Sequence, residues 1–527
     1  MKRTSNYKNL LKKMKGINQK QQSAENITSN LTEPSFSTVL TENERTIKSI
    51  LGSGQDVMMS KFKIKIKNGD MIDVMLVAID GIVDENAKRN NVIKPLISQI
   101  FEEKPNDKLE QLQMRLSTKK TIGVKNVIKA IDHVLKANVL LLVNGYKTGL
   151  LISIEGFERR AIEEPDTERV VRGAKEGFVE STGVNLSLLR RRISHPSLRF
   201  ETIEVGEYSK TGVTVCYIKD IAKDELIERI KTRLNQIKID DIHGSGDIEQ
   251  LIEDHPYTIF PTVGYTERPD KAAALMMEGR IVILVDGNPI SLFAPFFFAE
   301  NFKSTEDYGA RPYYSSFIRF IRFFSFIVTI TLPSLYISAL NFNKALIPSD
   351  MIVPIIQARE TVPFPLAMEV ILMILMFEIV REAGVRLPQQ FGTAISIVGP
   401  LILGDVSVSA GLVGAPTVVI VSLSFIAAFV ITPIAETAAL LRIGLFIASS
   451  LFGTYGLFVS LLGLIIHMVS LTSLGIPYMS PFAPFYFRDW KDSIVRFPTR
   501  LLKYRPKSVP HKRSRRIMSL PKTGDEQ

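Results

Sequence analysis

The feature that most constrains this chain is a tract of 45 consecutive residues, from 443 to 487, without an Asp, Glu, Lys or Arg. Elsewhere charge is plentiful, since charged residues make up 23% of the sequence. A bilayer needs about 20 consecutive apolar residues for each spanning helix, and lipid offers no partner for free backbone polar groups. The tract therefore predicts an integral membrane protein.

The charged residues crowd into roughly the first 270 residues and the last 40, so the chain has a polar half and an apolar half. A length of 527 residues predicts several domains. We predict a polytopic α-helical membrane domain preceded by a cytosolic α/β (α+β) domain of two small subdomains. The predicted segments are a disordered basic tail at 1–45, the subdomains at 46–122 and 123–265, a membrane domain of four to six helical segments at 266–487, and a basic cytosolic tail at 488–527.

Composition indicates the compartment. Cys216 is the sole cysteine, which excludes a disulfide framework and fits a reducing environment. The basic N-terminal stretch lacks the apolar core of about 7 to 15 residues that a secretory signal needs. We therefore expect the polar half to stay in the cytoplasm.

Short patterns predict the elements of the polar half. The strings KFKIKIKNG and MIDVMLVAID predict two strands around a turn at Asn68-Gly69. The runs ANVLLLVNG and TGLLISIEG, separated at Asn144-Gly145, predict a hairpin. The β-branched GVTVCYIKDI predicts a further strand, and the spacing over 223–238 predicts a helix.

The apolar half contains five stronger spanning candidates and a weak one. Phe323 to Asn343 is uncharged over 21 residues, and Phe391 to Leu441 is long enough for two helices. Phe364 to Val380 is shorter and charged, and Ile443 to Ser473 predicts one long helix. The weak candidate, Ile281 to Ala299, is interrupted by Asp286, Gly287 and two prolines.

Topology limits how many of these segments cross the bilayer. A cytosolic N-terminal domain and a basic cytosolic tail require an even number of crossings. Either Ile281 to Ala299 spans, giving six, or one stronger candidate does not, giving four. We favour four spans with additional non-spanning apolar segments.

Catalytic and nucleic-acid functions are not indicated. HExxH and GxxxxGK[ST] motifs are absent, and the six histidines are scattered, so we expect no enzyme, no cofactor and no metal centre. The run from Arg488 to Arg516 holds 11 Lys and Arg against two Asp. Directly after an apolar tract, such a run favours membrane lipids as its partner and not nucleic acid.

Ionisable residues within the apolar half are candidates for function, because a charge inside a bilayer persists only when it is paired or faces water. On a helix, Glu369 lies about 180° from Glu378, and Glu382 lies about 40° from Glu378. A helix that is polar on opposite sides is packed among other helices or lines an aqueous path. The alternative for Glu378, Arg381 and Glu382 is a cap just outside the hydrocarbon.

Several motifs in order resemble one family. They are TERPDKAAALMMEGRIVILVDGNP at 266–289, ARETVPFP at 358–365, REAGVRLP at 381–388, AISIVGPLILGD at 394–405, AGLVGAP at 410–416 and GIPYMSPFAP at 475–484. Together with their surroundings from about residue 125 to 500, they resemble the A subunit of GerA-type spore germination receptors.

The resemblance implies a location, partners and a mechanism. It implies the inner spore membrane, a transporter-like B subunit that binds the nutrient, a lipoprotein C subunit, and a homo-oligomer that forms a nutrient-gated cation channel. The pore-lining helix of the family corresponds to about Pro365 to Val380. The candidate pore-lining or gating residues are Glu369, Met373, Met376, Glu378 and Glu382.

Alternatives remain open at this point. A related sporulation protein that assists dipicolinate release has the same architecture. A secondary transporter would show an inverted internal repeat, which the sequence does not suggest. A membrane scaffold that conducts nothing would use the α/β domain to recruit partners.

Overall fold

The computed structural model describes residues 34–52, 54–65, 71–98, 116, 121–154, 164–165, 168–386 and 404–516. The chain forms two compact units, one of Met1–Ile162 with Ser181–Thr202 and the other of Glu163–Glu180 with Ile203–Gln527. The strands are β1 Val57–Lys65, β2 Met71–Ile79, β3 Thr121–Val124, β4 Asn138–Val143, β5 Gly149–Ser153, β6 Leu198–Val205, β7 Thr211–Ile218, β8 Gly264–Thr266, β9 Ile281–Val285, β10 Ser291–Ala294, β11 Thr472–Ser473 and β12 Ile476–Pro477.

The helices follow the same chain order. They are α1 Leu40–Leu51, α2 Glu85–Lys88, α3 Lys94–Ser98, α4 Val127–Val134, α5 Thr182–Arg192, α6 Asp224–Gln236, α7 Ser245–Ile252, α8 Pro269–Glu278, α9 Glu306–Gly309, α10 Pro312–Asn341, α11 Ser349–Gln357, α12 Leu366–Arg386, α13 Ala415–Phe429 and α14 Ala435–Ser470.

The first unit is built on an antiparallel sheet of order β1-β2-β4-β5-β3. The hairpin predicted around Asn144-Gly145 is confirmed, since β4 and β5 pair from Asn138↔Ser153 to Leu141↔Leu150. Strands β1 and β2 also pair, whereas the turn predicted at Asn68-Gly69 lies outside the described residues. The boundary predicted after residue 122 falls inside β3. This strand lies at the edge of the sheet and pairs with β5, so the residues on both sides of the predicted boundary belong to one sheet.

Helix α1 begins earlier than the predicted end of the disordered tail. Its first residue is Leu40, whereas the tail was predicted to reach residue 45, and residues 1–33 lie outside the described part. Leu40, Ile47 and Leu51 form one apolar face that packs into the core of the first unit. They are seven and four residues apart, which places them on one side of a helix and explains why this short segment is ordered.

A buried ion pair joins distant parts of the first unit. Arg190 on α5 donates to the Asp56 carboxylate from Nε at 3.0 Å and from a terminal nitrogen at 2.6 Å. The two side chains are 1% and 4% exposed. The Arg190 guanidinium also lies 4.8 Å from the centre of the Phe200 ring. Burying two charges is tolerated only with such close pairing.

The second unit contains a sheet of order β6-β7-β9-β10-β8, in which its part of β6 begins at Ile203. The predicted strand at GVTVCYIKDI is confirmed as β7, and the predicted helix at 223–238 as α6. Ile281, Ile283 and Val285 of β9 share one apolar core with residues of α6 and α7. The boundary predicted after residue 265 falls inside β8, which pairs with β10.

The weak spanning candidate at 281–299 forms strands, which corrects the sequence interpretation. β9 and β10 pair antiparallel, with Leu292 opposite Ile283, and Gly287 adopts a φ of 80° in the connecting turn. All five residues of β9 are buried. A strand covered on both faces is as uniformly apolar as a membrane segment, so the pattern alone did not distinguish the two.

Among the described residues, two helices have the length and composition to cross a membrane, Pro312–Asn341 and Thr432–Ser470. The second range includes a short 3-10 turn before α14. It is also interrupted at Gly453, whose φ of 61° and ψ of −143° are not helical, so the single long helix predicted over Ile443 to Ser473 is wrong: two helices meet at this glycine. Helix α13, with 15 residues, is apolar but shorter. The part of the predicted Phe391 to Leu441 pair that covers 391–403 lies outside the described residues.

Over its described residues, 488–516, the basic C-terminal segment packs against other elements of the second unit and is not a free tail. Lys512 donates its backbone N–H to Ile221 at 2.8 Å, and Arg505 Nε donates to the carbonyl of Met277 at 2.6 Å. An isolated bridge pairs Ala222 with His511. These contacts fix the segment after α14 to the loop after β7 and to helix α8, both of which precede α10 in the chain.

We expect Asp56→Asn to lower the free energy of unfolding by about 3–5 kcal/mol, because the change leaves the buried Arg190 cation without its counter-ion. Chemical denaturation of the full chain in detergent, followed by circular dichroism, measures this loss. Lys48→Gln is the matched control, since Lys48 is 49% exposed and its pair with Glu44 lies at the surface of the same unit. That control should cost less than about 1 kcal/mol, and equal losses in both variants would contradict the assignment.

Candidate functional site

Helix α12 contains all five residues singled out by the sequence. It begins directly after Pro365, whose carbonyl accepts hydrogen bonds from the backbone N–H groups of Met368 and Glu369 at 2.9 and 3.1 Å. Proline fixes its own φ near helical values and has no N–H to satisfy, so it suits the start of a helix. The preceding string TVPFP thus sets where α12 begins and which of its faces is turned inward.

Glu369 lies inside the helical part of the chain, which consists of the helices α10 to α14, and it is 0% exposed. Arg359 Nε donates to its carboxylate at 3.2 and 3.4 Å, and the hydroxyl of Thr417 on α13 donates to it at 3.1 and 3.2 Å. The Tyr336 hydroxyl on α10 lies 3.2 Å from Thr417 Oγ1. Because Thr417 uses its proton on Glu369, Tyr336 is the donor in this contact. The carboxylate therefore anchors a chain of polar groups that connects three helices.

The two methionines belong to the apolar core around this carboxylate. Met373 is fully buried, and Met376 is half-buried against the same cluster. Phe377 stacks on Phe425 of α13 with ring centres 4.9 Å apart. Methionine adapts to irregular gaps, which suits an interface between helices. In one chain, these residues hold α12 against its neighbours.

Glu378 is bound from two sides. Arg381, one turn along α12, lies 2.7 Å from its carboxylate, and Arg442 of α14 donates to the other oxygen. Arg442 is fully buried, and its guanidinium lies 3.8 Å from the centre of the Phe425 ring. A buried cation needs both a counter-ion and a polarisable neighbour, and this site supplies them.

Glu382 differs from the other two carboxylates. It pairs with Arg386 at 2.7 Å, but the side chains are 61% and 78% exposed. Exposed pairs of this kind contribute little to stability. Glu382 is the only one of the three glutamates that one chain leaves open to its surroundings.

One face of α12 is left uncovered by the described part of the chain. Met368, Leu375 and Ile379 are 50%, 52% and 68% exposed. They are seven and four residues apart, which places them on one side of the helix, and Glu382 continues the row three residues later. The uncovered face is thus apolar along about three turns and ends in a carboxylate.

Sequence reasoning found the carboxylates but missed their partners. Arg359 was visible in the motif ARETVPFP, ten residues before Glu369, yet the bend between them was not predictable. Thr417 and Arg442 are 48 and 64 residues from their partners. Asp405, a further carboxylate of the apolar half, is exposed. Glu436 is exposed as well, near the start of α14.

A second group of carboxylates lies where α7 meets the start of α14. Burial, then the charges of Glu253 and Glu436, raise the pKa of Glu249 to about 7 from an ordinary 4.5. Close by, the Thr437 hydroxyl donates to the carbonyl of Ile259 at 2.7 Å. The start of α14 therefore meets α7 and the segment after it through a surface that carries titratable groups.

Comparison with known proteins identifies a family. Residues 45–508 match the model of the Bacillus/Clostridium GerA spore germination protein. The chain is 38% identical to spore germination protein KA of Bacillus subtilis (strain 168) over 473 residues, which cover 89% of this chain and 86% of that protein. It is 35% identical to spore germination protein GerLA of Bacillus cereus over 482 residues, which cover 90% and 96%.

One solved structure is also similar. It is the crystal structure of the N-terminal domain of the A subunit of the Bacillus megaterium spore germinant receptor GerK3. The identity is 34% and the TM-score 0.41, with 51% of this chain and 98% of that chain covered.

A double-mutant cycle on Glu378→Gln and Arg442→Gln should give a coupling energy of about 1–3 kcal/mol, because each partner neutralises the other inside the protein. Unfolding of the detergent-solubilised chain in increasing fractions of sodium dodecyl sulfate measures it. The exposed pair of Glu382 and Arg386 is the control, and its cycle should give less than about 0.5 kcal/mol. A coupling for Glu378 and Arg442 no larger than the control would contradict the pairing.

We expect stability to fall as the pH rises from about 4.5 to about 7, because Glu249 binds its proton more tightly in the folded state than in the unfolded state. The contribution is fully present below the unfolded pKa and is lost as the pH passes the folded pKa. In Glu249→Gln, the fall in the free energy of unfolding between low and high pH should be smaller by about 2 kcal/mol, a value already discounted for the partial exposure of Glu249. Melting temperatures at pH 5 and pH 8, with exposed Glu228→Gln as control, measure it; an unchanged slope would exclude Glu249 as its source.

Proposed function

The chain belongs to the GerA family of Bacillus/Clostridium spore germination proteins, and we propose that it is the A subunit of a nutrient-responsive germinant receptor. In this proposal several copies assemble in the inner spore membrane beside a transporter-like B subunit and a lipoprotein C subunit. The oligomer forms a gated path for cations. The chain has no catalytic role, and nutrient recognition lies with the B subunit.

The exposed surface of α14 supports insertion in a membrane. Only 22% of its most apolar window is buried within the chain. Large apolar side chains remain uncovered along it, among them Leu451, Phe458 and Ile466. A water-exposed helix with so large a contiguous apolar surface would aggregate, whereas lipid covers such a surface without cost.

The packing of the C-terminal segment supports a cytosolic position for both ends of the helical part. Residues 505–516 bind to the loop after β7 and to α8, both of which precede α10, so the chain returns to the side from which it left. An even number of crossings follows for the segment between them. The positively charged segment after α14 favours the cytosolic side, because Lys and Arg are retained there.

The uncovered face of α12 is the single observation that carries the proposed path. Glu369 and Glu378 are paired with arginines inside the protein, whereas Glu382 pairs only with the exposed Arg386 and is the carboxylate of α12 that passing ions could reach. Around a symmetry axis, Leu375 and Ile379 would form an apolar constriction and Glu382 a ring of carboxylates. Apolar constrictions gate by excluding water, and carboxylate rings favour cations.

Glu369, Met373, Met376 and Glu378 then act by positioning α12. Their contacts fix the rotation of the helix about its own axis, and hence which side chains face the path. The sequence also makes Glu369 a candidate lining residue. The positioning role and the lining role predict different effects for a neutral side chain at this position.

We expect Glu382→Gln to lower the preference for potassium over chloride in liposomes that contain the receptor complex, with little change in melting temperature. Glu369→Gln should instead lower the melting temperature and shift the nutrient concentration needed for flux, with the ion preference unchanged. The reason is that Glu382 faces outward whereas Glu369 binds Arg359 and Thr417. Flux measured with ion-selective dyes at matched protein content tests both.

Glu360→Gln serves as control, because Glu360 is an exposed carboxylate just before α12. It should leave melting temperature, threshold and ion preference unaltered. A changed ion preference in Glu369→Gln would return Glu369 to the path. Absence of nutrient-dependent flux in correctly assembled complexes would overturn the channel and favour a scaffold.

A further inference from the structure

A cavity of about 310 Å³ lies between the segment after β10 and the C-terminal segment, away from α12. Seven basic and three acidic side chains line it. Cations grouped in excess around one volume repel one another unless something neutralises them. The question is therefore whether the protein supplies the missing negative charge.

The three carboxylates of the cavity are already engaged. Glu300 forms an ion pair with Arg280. Asp489 accepts hydrogen bonds from the backbone N–H groups of Lys507 and Ser508 at 2.9 and 2.7 Å. Asp492 accepts from Arg319, which does not line the cavity, at 3.1 Å. Against the seven cations, these three carboxylates leave an excess of positive charge in the cavity.

Five of the seven cations lack a carboxylate partner within the described part of the chain. Arg505 is 8% exposed, and its guanidinium donates only to backbone carbonyls, those of Met277, Arg513 and Arg515. Burial, then repulsion from Arg516 and Arg513, lowers the pKa of Arg505 below its ordinary value. The other four such cations are Lys303, Arg488, Lys491 and Lys503.

A buried polar atom in the cavity wall is also unsatisfied. Ser480 is 1% exposed, and its hydroxyl has no hydrogen-bond partner among the described residues. Arg280 is 2% exposed and is held by carboxylates outside and inside the cavity, since its Nε lies 3.5 Å from Glu278 and its terminal nitrogen pairs with Glu300, so Ser480 is the unsatisfied group of this wall. Leaving such a group unpaired costs stability, so its presence in the wall of a cationic cavity indicates a place for an acceptor.

We propose that this cavity binds a phosphate group, carried either by a bilayer lipid or by a soluble ligand. Phosphate supplies several acceptor oxygens and up to two negative charges, which match guanidinium and ammonium donors grouped around one volume. A second cavity of about 430 Å³ adjoins the first and shares Lys303 and Leu502 with it. Its wall includes Leu275, Phe293 and Phe296, so a less polar part of the ligand has room beside the phosphate.

The site does not depend on the proposed cation path. It lies at the contact between the C-terminal segment and the second sheet, and its occupancy would strengthen that contact by neutralising the cations on both sides. A ligand that binds only the folded arrangement stabilises it by mass action.

The test uses the purified full chain in dodecyl maltoside and isothermal titration calorimetry. One arm adds inorganic phosphate, the second phosphatidylglycerol in mixed micelles, and the third phosphatidylcholine. Saturable binding of phosphatidylglycerol and of inorganic phosphate identifies a site that free phosphate satisfies, and binding of phosphatidylglycerol alone identifies a lipid headgroup site. Lys303→Gln combined with Lys503→Gln should weaken the binding by about tenfold or more.

Two further double variants control for folding and overall charge. Lys303→Arg with Lys503→Arg keeps the charges and should retain binding, which separates loss of the site from loss of the fold. Arg500→Gln with Lys507→Gln removes the same net charge from two exposed cations of the C-terminal segment that do not line the cavity, where salt screens them, and should change the affinity by less than about twofold. Binding of neither phosphate nor phosphatidylglycerol, equal affinity for phosphatidylcholine, or equal losses in the two glutamine variants would overturn the proposal.

Discussion

The helical part depends on the need to neutralise charges that its packing buries. Arg442 has no exposed surface, and the same is true of Glu369. Each is held by a partner from another element, so α12 is fixed to α14 through Glu378 and to the segment before it through Arg359. Removing one member of such a pair costs far more than the pair contributes over apolar side chains. The pairs therefore specify one arrangement of the helices.

The fastening of the C-terminal segment to the loop after β7 and to α8 is a constraint of another kind. Backbone hydrogen bonds from Lys512 and the bridge at His511 bring the end of the helical part back to its beginning. In the proposed topology, this geometry calls for an even number of crossings between α10 and the end of α14. The basic composition of the segment is a separate reason for placing it on the cytosolic side in that proposal.

The elements that the sequence predicts well are those specified by neighbouring residues. The hairpin at Asn144-Gly145, the strand β7 and the helix α6 were all predictable, since turn chemistry and periodicity operate over a few positions. Strand order was not, because β3 joins its sheet through β5 and β8 through β10. Burial on both faces made β9 read as a membrane segment. The carboxylates of α12 were likewise visible, whereas Thr417 and Arg442 become their partners only through packing.

The buried pairs also limit how the proposed path could open. Sliding α12 alone would separate Glu369 from Arg359 or Glu378 from Arg442, and each separation leaves a charge without a partner in a low-dielectric surrounding. An opening motion that keeps both pairs moves α12 together with α13 and the first half of α14. Helix α14 has a break suited to this at Gly453, whose φ is 61° and where a Cβ would lie 2.5 Å from Cγ of Phe342. Because only glycine fits there, the break is built into the helix, and it allows the half that carries Arg442 to change its angle to the half that ends at Ser470.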